Sequence, residues 1–385
     1  MKAGAAEHIR LPESSVVPVR GGHPWVFRDV RVAARPGEPV VLCDPRGKPI
    51  GWGLADEGPI AVRVLGREVP EVLDVPAVLR DRIGRAIRLR ESLIGAEGDA
   101  WRAVHGEGDR LGGLVIDRYA GVVVVRLYAK AWERWLDPIV AAAREPGWAT
   151  SVVRRLGVAR VDGGQGIVRL AGPDPADRVI VREGAMRLAV SVRDGQKTGM
   201  FLDQREHRAL IGRWSRGRRV ANLFAYHGGF SVAAALGGAS RVTTVDLAPA
   251  AVEDARENFR LNGIDPDLHA FEVADAFTWR ARGGLDLLVL DPPSLAHDRK
   301  TAGAARSAYR KLHKHHAASL AADGLLATSS CTSWVDSAAW VAAVEQGLDG
   351  RDAAWLWRSG SPPDHPCAVG HPEGSYLKFG LLRLL

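Results

Sequence analysis

The stretch Val220-Ala221-Asn222-Leu223-Phe224-Ala225-Tyr226-His227-Gly228-Gly229-Phe230 decides the fold. Residues 220–224 suit a buried strand, two adjacent glycines follow, and an apolar helix pattern over 230–236 begins at once. A strand turning directly into a helix opens an α/β unit. Gly228 and Gly229 lack a Cβ, so the backbone can turn tightly there and approach a ligand. The helix points the positive end of its dipole at the same place. Taken alone the turn leaves a plainer alternative open, since Gly-Gly also serves as a simple connection.

Outward from this stretch the alternation continues. Residues 241–246 form a second strand and 248–261 a helix; 269–273 and 285–290 are further strands, 306–322 is helical, and 324–329 is a fifth strand. This order predicts a mostly parallel sheet with helices on both faces. Ligands of such sheets bind beyond the carboxyl ends of the strands.

Chemistry-bearing residues collect at those ends. Asp246 closes the second strand, 18 residues after Gly228, where a carboxylate can accept hydrogen bonds from both ribose hydroxyls of an adenosine. Leu247 follows it. NAD enzymes use the same device, but the G-x-G-x-x-G fingerprint is absent, which argues against a pyrophosphate site. Asp275-Ala276-Phe277 follows the third strand, where the acid can meet the adenine amino group or cap a helix. Asp291-Pro292-Pro293-Ser294 ends the fourth strand, and its two prolines fix a rigid bend. An Asp-Pro-Pro in this position resembles methyltransferases that act on nucleobases. Cys331 lies just beyond the fifth strand, on the same rim as Asp291. A thiolate there can add to carbon 6 of a pyrimidine and load electron density onto carbon 5; a buried spectator thiol is the alternative. Cys43 and Cys367 are read as structural.

The rest of the chain has a different rhythm. Short apolar runs at 39–43, 50–54 and 60–65 suggest a small β-barrel over residues 1–70. Residues 76–95 show helical spacing, with Arg80, Arg82, Arg85, Arg88 and Arg90 reading either as a solvated face or as one turned to nucleic acid. A hairpin over 114–128, a helix over 131–144 and strands near 151–153 and 179–181 make residues 71–185 a central α+β domain. The third domain spans 186–385.

Composition limits the classes. With 385 residues the chain exceeds one ordinary core. No apolar run reaches transmembrane length, and the first residues lack a signal-peptide core, so no membrane role and a cytoplasmic location are expected. The formal net charge of +7 suits a polyanionic partner. Three scattered cysteines exclude a zinc knuckle or a disulfide framework, and the adjacent His315-His316 form no convincing metal site, so no metal is expected. Arg299, Lys300, Arg306, Arg310, Lys311, His313, Lys314, His315 and His316 make a basic loop and helix that could meet RNA phosphates or be an ordinary charged helix. Trp25 and Trp52 are core candidates that could instead stack on bases.

Taken together, the residues resemble bacterial ribosomal RNA large-subunit 5-methylcytosine methyltransferases with an N-terminal PUA domain. The similarity covers nearly the whole chain. Gly22-His23-Pro24-Trp25-Val26-Phe27 and Gly51-Trp52-Gly53 look like the PUA barrel. The stretch 106–119, Gly-Glu-Gly-Asp-Arg-Leu-Gly-Gly-Leu-Val-Ile-Asp-Arg-Tyr, is similar to the family's central signature. Residues 195–205, Gly-Gln-Lys-Thr-Gly-Met-Phe-Leu-Asp-Gln-Arg, are close to its most specific motif, and Asp364-His365-Pro366 with 373–378 look like its C-terminal segment.

The resemblance implies a Rossmann-like class I methyltransferase domain that uses S-adenosylmethionine and acts on RNA, with room for a homodimer. It implies a Cys331 nucleophile and an Asp291-Pro292-Pro293 that positions the base. It also implies a cofactor held by Gln204, Arg205, Phe224, Ala225, Tyr226, Gly228, Gly229, Asp246, Leu247, Asp275, Ala276, Asp291 and Pro292. Departures fall at Arg110, His227 and Ser294, where Gly, Thr and Lys or a similar residue are usual. A base-nitrogen or small-molecule methyltransferase, and a non-catalytic RNA-binding protein, remain as other readings.

Overall fold

The computed structural model of the protein describes residues 1–296 and 298–385. The chain divides into two compact units, each assembled from three segments. The first takes Met1–Val181, Val190–Leu202 and Pro363–Gly374; the second takes Arg182–Ala189, Asp203–Pro362 and Ser375–Leu385.

In the first unit, β1 (Glu7–Arg10), β2 (Trp25–Phe27), β3 (Pro39–Cys43), β4 (Pro49–Ala55) and β5 (Ile60–Gly66) form a sheet in the order β1-β3-β4-β5-β2, with α1 (Glu13–Arg20) between β1 and β2. A second sheet holds β6 (Ala100–His105), β7 (Leu114–Tyr119), β8 (Val122–Leu127), β9 (Ser151–Arg155) and β10 (Ile167–Ala171), in the order β10-β9-β8-β7-β6. The helices α2 (Val75–Ile94) and α3 (Leu136–Arg144) accompany it; the helix expected over 131–144 begins as a 3-10 helix, Lys130–Trp135, that leads into α3. One continuous apolar core runs from Val41, Trp52 and Leu65 of the first sheet through Leu79 and Ile83 of α2 to Trp101, Ile116 and Val152 of the second. That shared core explains why residues 1–181 cohere where the sequence suggests two successive domains.

The segments carrying the family signature meet inside this unit. Arg90 is fully buried and makes a bidentate pair with Asp109 at 2.7 and 2.8 Å, and it also donates to the Asp364 carbonyl at 3.0 Å. Arg102 donates to both oxygens of Asp117, at 2.8 and 3.1 Å, and the second of these also accepts from Thr198 Oγ1 at 2.5 Å; Tyr119 Oη lies 2.9 Å from the same hydroxyl. Arg90 is therefore a structural cation rather than part of a solvated helix face. Burial and the neighbouring His365, Arg102 and Arg90 hold the His105 imidazole well below its usual pKa, hence neutral. Arg110 has φ +60°, the left-handed region, which accounts for the usual glycine at that position.

A two-stranded ribbon of β11 (Val179–Glu183) and β12 (Met186–Val190) follows. The second unit is then built on β13 (Arg219–Leu223), β14 (Arg241–Asp246), β15 (Ala270–Val273), β16 (Leu285–Leu290), β17 (Leu320–Ser330), β18 (Ala353–Ser359) and β19 (Lys378–Leu384). Their order is β15-β14-β13-β16-β17-β19-β18. The first five run parallel to one another, β19 runs antiparallel to them, and β18, antiparallel to β19, runs in their direction again. From β13 the chain moves outward to β14 and β15, then returns to β16 on the other side, so β13 and β16 flank the switch point where such sheets bind ligands.

Helices cover both faces, and the strand residues alternate accordingly. Leu223, Leu288 and Leu326 pack against Tyr309 and Leu312 of α7 (Ala302–Ala317) and Trp340 and Val344 of α8 (Ser337–Gly347). The other helices, α4 (Arg205–Trp214), α5 (Gly229–Leu236) and α6 (Pro249–Leu261), pack in sequence against one another. The helix expected to run to residue 322 ends at Ala317, and β17 begins at Leu320.

Candidate active site

The turn from β13 to α5 is strained. Phe224 has φ +59°, Tyr226 +49° and Gly228 +79°. Left-handed backbone costs an aromatic residue of order 1–3 kcal/mol, and it persists only where its surroundings impose it. Three bonds do so here: Ala225 N–H donates to the Val245 carbonyl at 3.1 Å, Tyr226 N–H to Asp246 Oδ2 at 2.8 Å, and Asn258 Nδ2 to the His227 carbonyl at 2.9 Å. Gly228 is required twice over, since a Cβ there would lie 2.7 Å from the Ala255 Cβ. His227, which replaces the usual Thr, is buried beside Tyr226.

Asp246 is thus a structural strut as well as a rim residue. Its Oδ2 holds Tyr226 and its Oδ1 accepts from Ala248 N–H at 3.0 Å. The carboxylate is half-buried, which leaves lone pairs for further donors. Asp275 ends β15's loop as a turn cap rather than a helix cap, accepting from Phe277 N–H at 2.9 Å. Ala276 is buried behind it, while Leu247 is 69% and Phe277 40% exposed. The Phe277 ring meets Phe224 edge-on at 5.2 Å. Two exposed apolar side chains beside two carboxylates make a rim that a purine nucleoside can cover.

At the end of β16, Asp291 is held by a chain of polar groups. Its Oδ1 accepts from Gln204 Nε2 at 3.0 Å and from the Ser329 hydroxyl at the end of β17. Gln204 Oε1 lies 2.5 Å from His207 Nδ1, and His207 Nε2 is 3.0 Å from the Ser359 hydroxyl. The imidazole stacks on Phe379 at 4.0 Å, and burial pushes its pKa down to about 3, so it is neutral. Because Gln204 Oε1 can only accept, His207 carries its proton on Nδ1, and the Gln204 amide is turned to donate to Asp291. Arg205 is buried at the start of α4. Pro292 is buried and Pro293 exposed, so the bend projects from the rim.

Cys331 is half-buried one residue past β17. The register places Thr328 opposite Leu290, so Cys331 and Asp291 end neighbouring parallel strands. Tyr309 of α7 braces this end: its hydroxyl donates to Ser330 Oγ at 2.9 Å and lies 2.9 Å from Thr332 Oγ1, which accepts from Leu295 N–H at 3.1 Å. Cys43 is buried in the barrel sheet, and Cys367 is exposed. His207, Ser359 and Tyr309 were not singled out from sequence. The i, i+3 spacing of Gln204 and His207 on a helix start was the one local signal for the first of them.

The basic segment divides in two. Arg306, Arg310, Lys311 and Lys314 are exposed, whereas His313 and His316 are fully buried and bonded to Thr328 and to the Ala276 carbonyl. Those histidines are core groups, and burial lowers each to about 4. Trp52 is buried in the core and Trp25 is half-buried. Neutral burial of His207, His313 and His316 has a consequence for acid stability. Each folded pKa lies below the ordinary 6.5, so unfolding takes up protons once the pH falls below that value, and stability declines from there. The expected slope is about 1.4 kcal/mol per pH unit per imidazole. A melting temperature unchanged between pH 7 and 5 would show that these rings titrate alike in the folded and the unfolded chain.

Three comparisons bear on this geometry. Residues 101–341 match the model of the S-adenosylmethionine-dependent methyltransferase family, and residues 9–67 match that of the PUA-like domain. The chain is 37% identical to a ribosomal RNA large subunit methyltransferase of Deinococcus radiodurans, covering 98% of this chain and 97% of that protein. It is 35% identical to ribosomal RNA large subunit methyltransferase I of Tolumonas auensis, covering 94% and 96%. A crystal structure described as a methyltransferase complexed with SAH shares the fold at a TM-score of 0.84 and 23% identity, over 98% of this chain and 99% of that one. Among the described residues no helix is long and apolar enough to cross a membrane.

Proposed function

The chain belongs to the S-adenosylmethionine-dependent ribosomal RNA large-subunit methyltransferases that carry a PUA-like domain, and on that footing we propose that it forms 5-methylcytosine in large-subunit ribosomal RNA through a bond between Cys331 and carbon 6 of the base. The observation that carries this reading is the pairing of β16 with β17, which are followed directly by Asp291 and by Cys331.

The rim residues fit the methyl donor. Asp246 has lone pairs for the ribose hydroxyls, Asp275 for the adenine amino group, Leu247 and Phe277 offer apolar faces to the ring, and Ala276 backs the Asp275 turn from the core. Phe224, Ala225, Tyr226, Gly228 and Gly229 form the strained turn beneath, with Gln204, Arg205, Asp291 and Pro292 opposite. When bound, S-adenosylmethionine supplies an electrophilic methyl group on a sulfonium. The protein's own task is to make carbon 5 of cytosine a nucleophile. The Cys331 thiolate adds to carbon 6, a carbon–sulfur bond forms, and the π pair moves to carbon 5. Asp291, held by Gln204 and Ser329, orients the base and its ring nitrogen during this addition. Once carbon 5 carries the methyl group, a base takes its proton, the electron pair reforms the double bond, and the sulfur leaves as thiolate.

The barrel over 1–70, the central domain over 71–185 and the exposed Arg306, Arg310 and Lys311 would contact the RNA, with the methyltransferase domain from 186 onward. Such a substrate fits a cytoplasmic location. Mapping 5-methylcytosine in large-subunit ribosomal RNA from cells with and without the protein tests the reading. A cytosine mark lost with the protein is expected; a lost mark on a base nitrogen, or no lost mark, would overturn it. Replacing Asp246 by Ala is expected to weaken S-adenosylmethionine binding by roughly 1.5–3 kcal/mol, the range for bonds to a charged group. An unchanged dissociation constant by calorimetry would remove Asp246 from the site.

A further inference from the structure

Lys378 opens β19 directly opposite Ser330, the residue before Cys331. Its side chain is 5% exposed. The ammonium donates to three backbone carbonyls, of Thr332 at 2.7 Å, Val335 at 2.9 Å and Tyr376 at 2.8 Å. Two of these belong to the turn that carries Cys331 away from β17. All three N–H bonds of the ammonium are used, and every acceptor is neutral. Among the described residues no carboxylate pairs with it.

A buried cation balanced only by dipoles favours any anion that forms beside it. Burial pulls the Lys378 pKa down to about 8, with Cys331 and Asp336 acting in the opposite direction. It therefore remains mostly charged at neutral pH. Among the described residues, Asp291 at the end of β16, Asp336 at the start of α8 and Tyr309 of α7 also lie in the thiol's neighbourhood. The two carboxylates oppose a thiolate. The phenol, pushed up to about 12, is neutral. Lys378 is the positive member of this set.

We propose that Lys378 is a positioning residue for Cys331: its ammonium clamps the turn that bears the thiol and favours the thiolate over the thiol. The inference rests on Cys331 being the nucleophile. It extends that reading to the group that makes the sulfur reactive at neutral pH, with the displaced proton released to water. It also gives the C-terminal strand pair a second task beside the bracing of His207 by Ser359 and Phe379.

The test is the pH dependence of Cys331 alkylation by iodoacetamide, followed on the Cys331 peptide by mass spectrometry in the full-length protein. Lys378→Met should move the midpoint upward by about one pH unit, so that alkylation at pH 7 slows by about tenfold. Lys378→Arg, which keeps the charge, should restore most of the wild-type profile. Calorimetric binding of S-adenosylmethionine establishes that each variant is folded. If Lys378→Met does not fold, the reciprocal measurement serves: the Lys378 ammonium, followed by NMR with labelled lysine, should deprotonate at lower pH in Cys331→Ala than in wild type. Identical alkylation midpoints in folded Lys378→Met and wild type, or identical lysine titrations in Cys331→Ala and wild type, would overturn the proposal. Covalent capture of 5-fluorocytosine RNA separates the two ideas. Capture by wild type with an unmoved midpoint in Lys378→Met rejects the lysine's role alone. A moved midpoint without capture upholds it and rejects the nucleophile.

Discussion

A Cys331→Ala enzyme should bind S-adenosylmethionine as the wild type does and methylate RNA slower by roughly 10⁴-fold or more, the scale on which removal of a nucleophile is felt. The reason is electronic. Carbon 5 of cytosine is a weak nucleophile until a group adds at carbon 6, and among the described residues at the ends of β13 to β17 Cys331 is the one that supplies a soft, ionisable atom. Cys331→Ser should fare little better, because a hydroxyl is hardly ionised under conditions where a thiol partly is. RNA containing 5-fluorocytosine sharpens the test. Its carbon 5 carries fluorine in place of the proton that must leave, so the adduct cannot collapse, and wild type should give a band of increased mass on a denaturing gel. Cys331→Ala should give none. Full methylation by that variant would point to a nitrogen atom of the base, for which no sulfur adduct is needed.

The second large effect is expected at Asp291. Asp291→Ala should lower kcat by roughly 10²- to 10⁴-fold, the contribution usual for a positioned acid or base. The carboxylate is the terminus of the Ser359–His207–Gln204 chain, and Ser329 fixes the same oxygen from the adjoining strand. One oxygen is thus dedicated to orientation, which directs the other. Cys331 alkylation should survive the substitution, because the thiol's own braces, Tyr309 and Lys378, do not pass through Asp291. Steady-state kinetics alongside cofactor calorimetry checks this. Parallel loss of cofactor binding and kcat would mean that Asp291 serves the donor rather than the base. His207→Ala should reproduce part of the kcat loss by freeing the Gln204 amide to turn.

The sheet was legible wherever one local pattern controlled the outcome. Strands 241–246 and 285–290 have the ends that the sequence indicates, because buried parallel strands read as unbroken apolar runs between turns. The helix expected to reach 322 stops at Ala317 because the Ala-rich stretch that follows suits helix and strand alike, and pairing of Leu320 with Leu285 settles it. The rim residues Gly228, Asp246, Asp291 and Cys331 stand at turns that the motifs mark. Their supports do not. Ser359 and Lys378 arrive through antiparallel strands from far along the chain, and only tertiary pairing brings them in. Asp109, Asp117, Thr198 and Asp364 stood out as signature residues, yet in the folded protein they are a buried polar network, which a short motif cannot distinguish from a reactive site.

The interleaving of the two units carries a lesson for anyone who would take the protein apart. Five passages of the backbone, at 181, 189, 202, 362 and 374, stitch one body to the other. No single scissor stroke yields a self-sufficient half: a fragment ending at 181 leaves behind Thr198 and Asp364, so Arg90, the Arg102 backbone N–H and Asp117 in its interior would each lose a hydrogen-bond partner. Minimal versions of this enzyme should therefore be sought by trimming loops, and a gene split at the apparent domain border should give pieces that regain order only in each other's company.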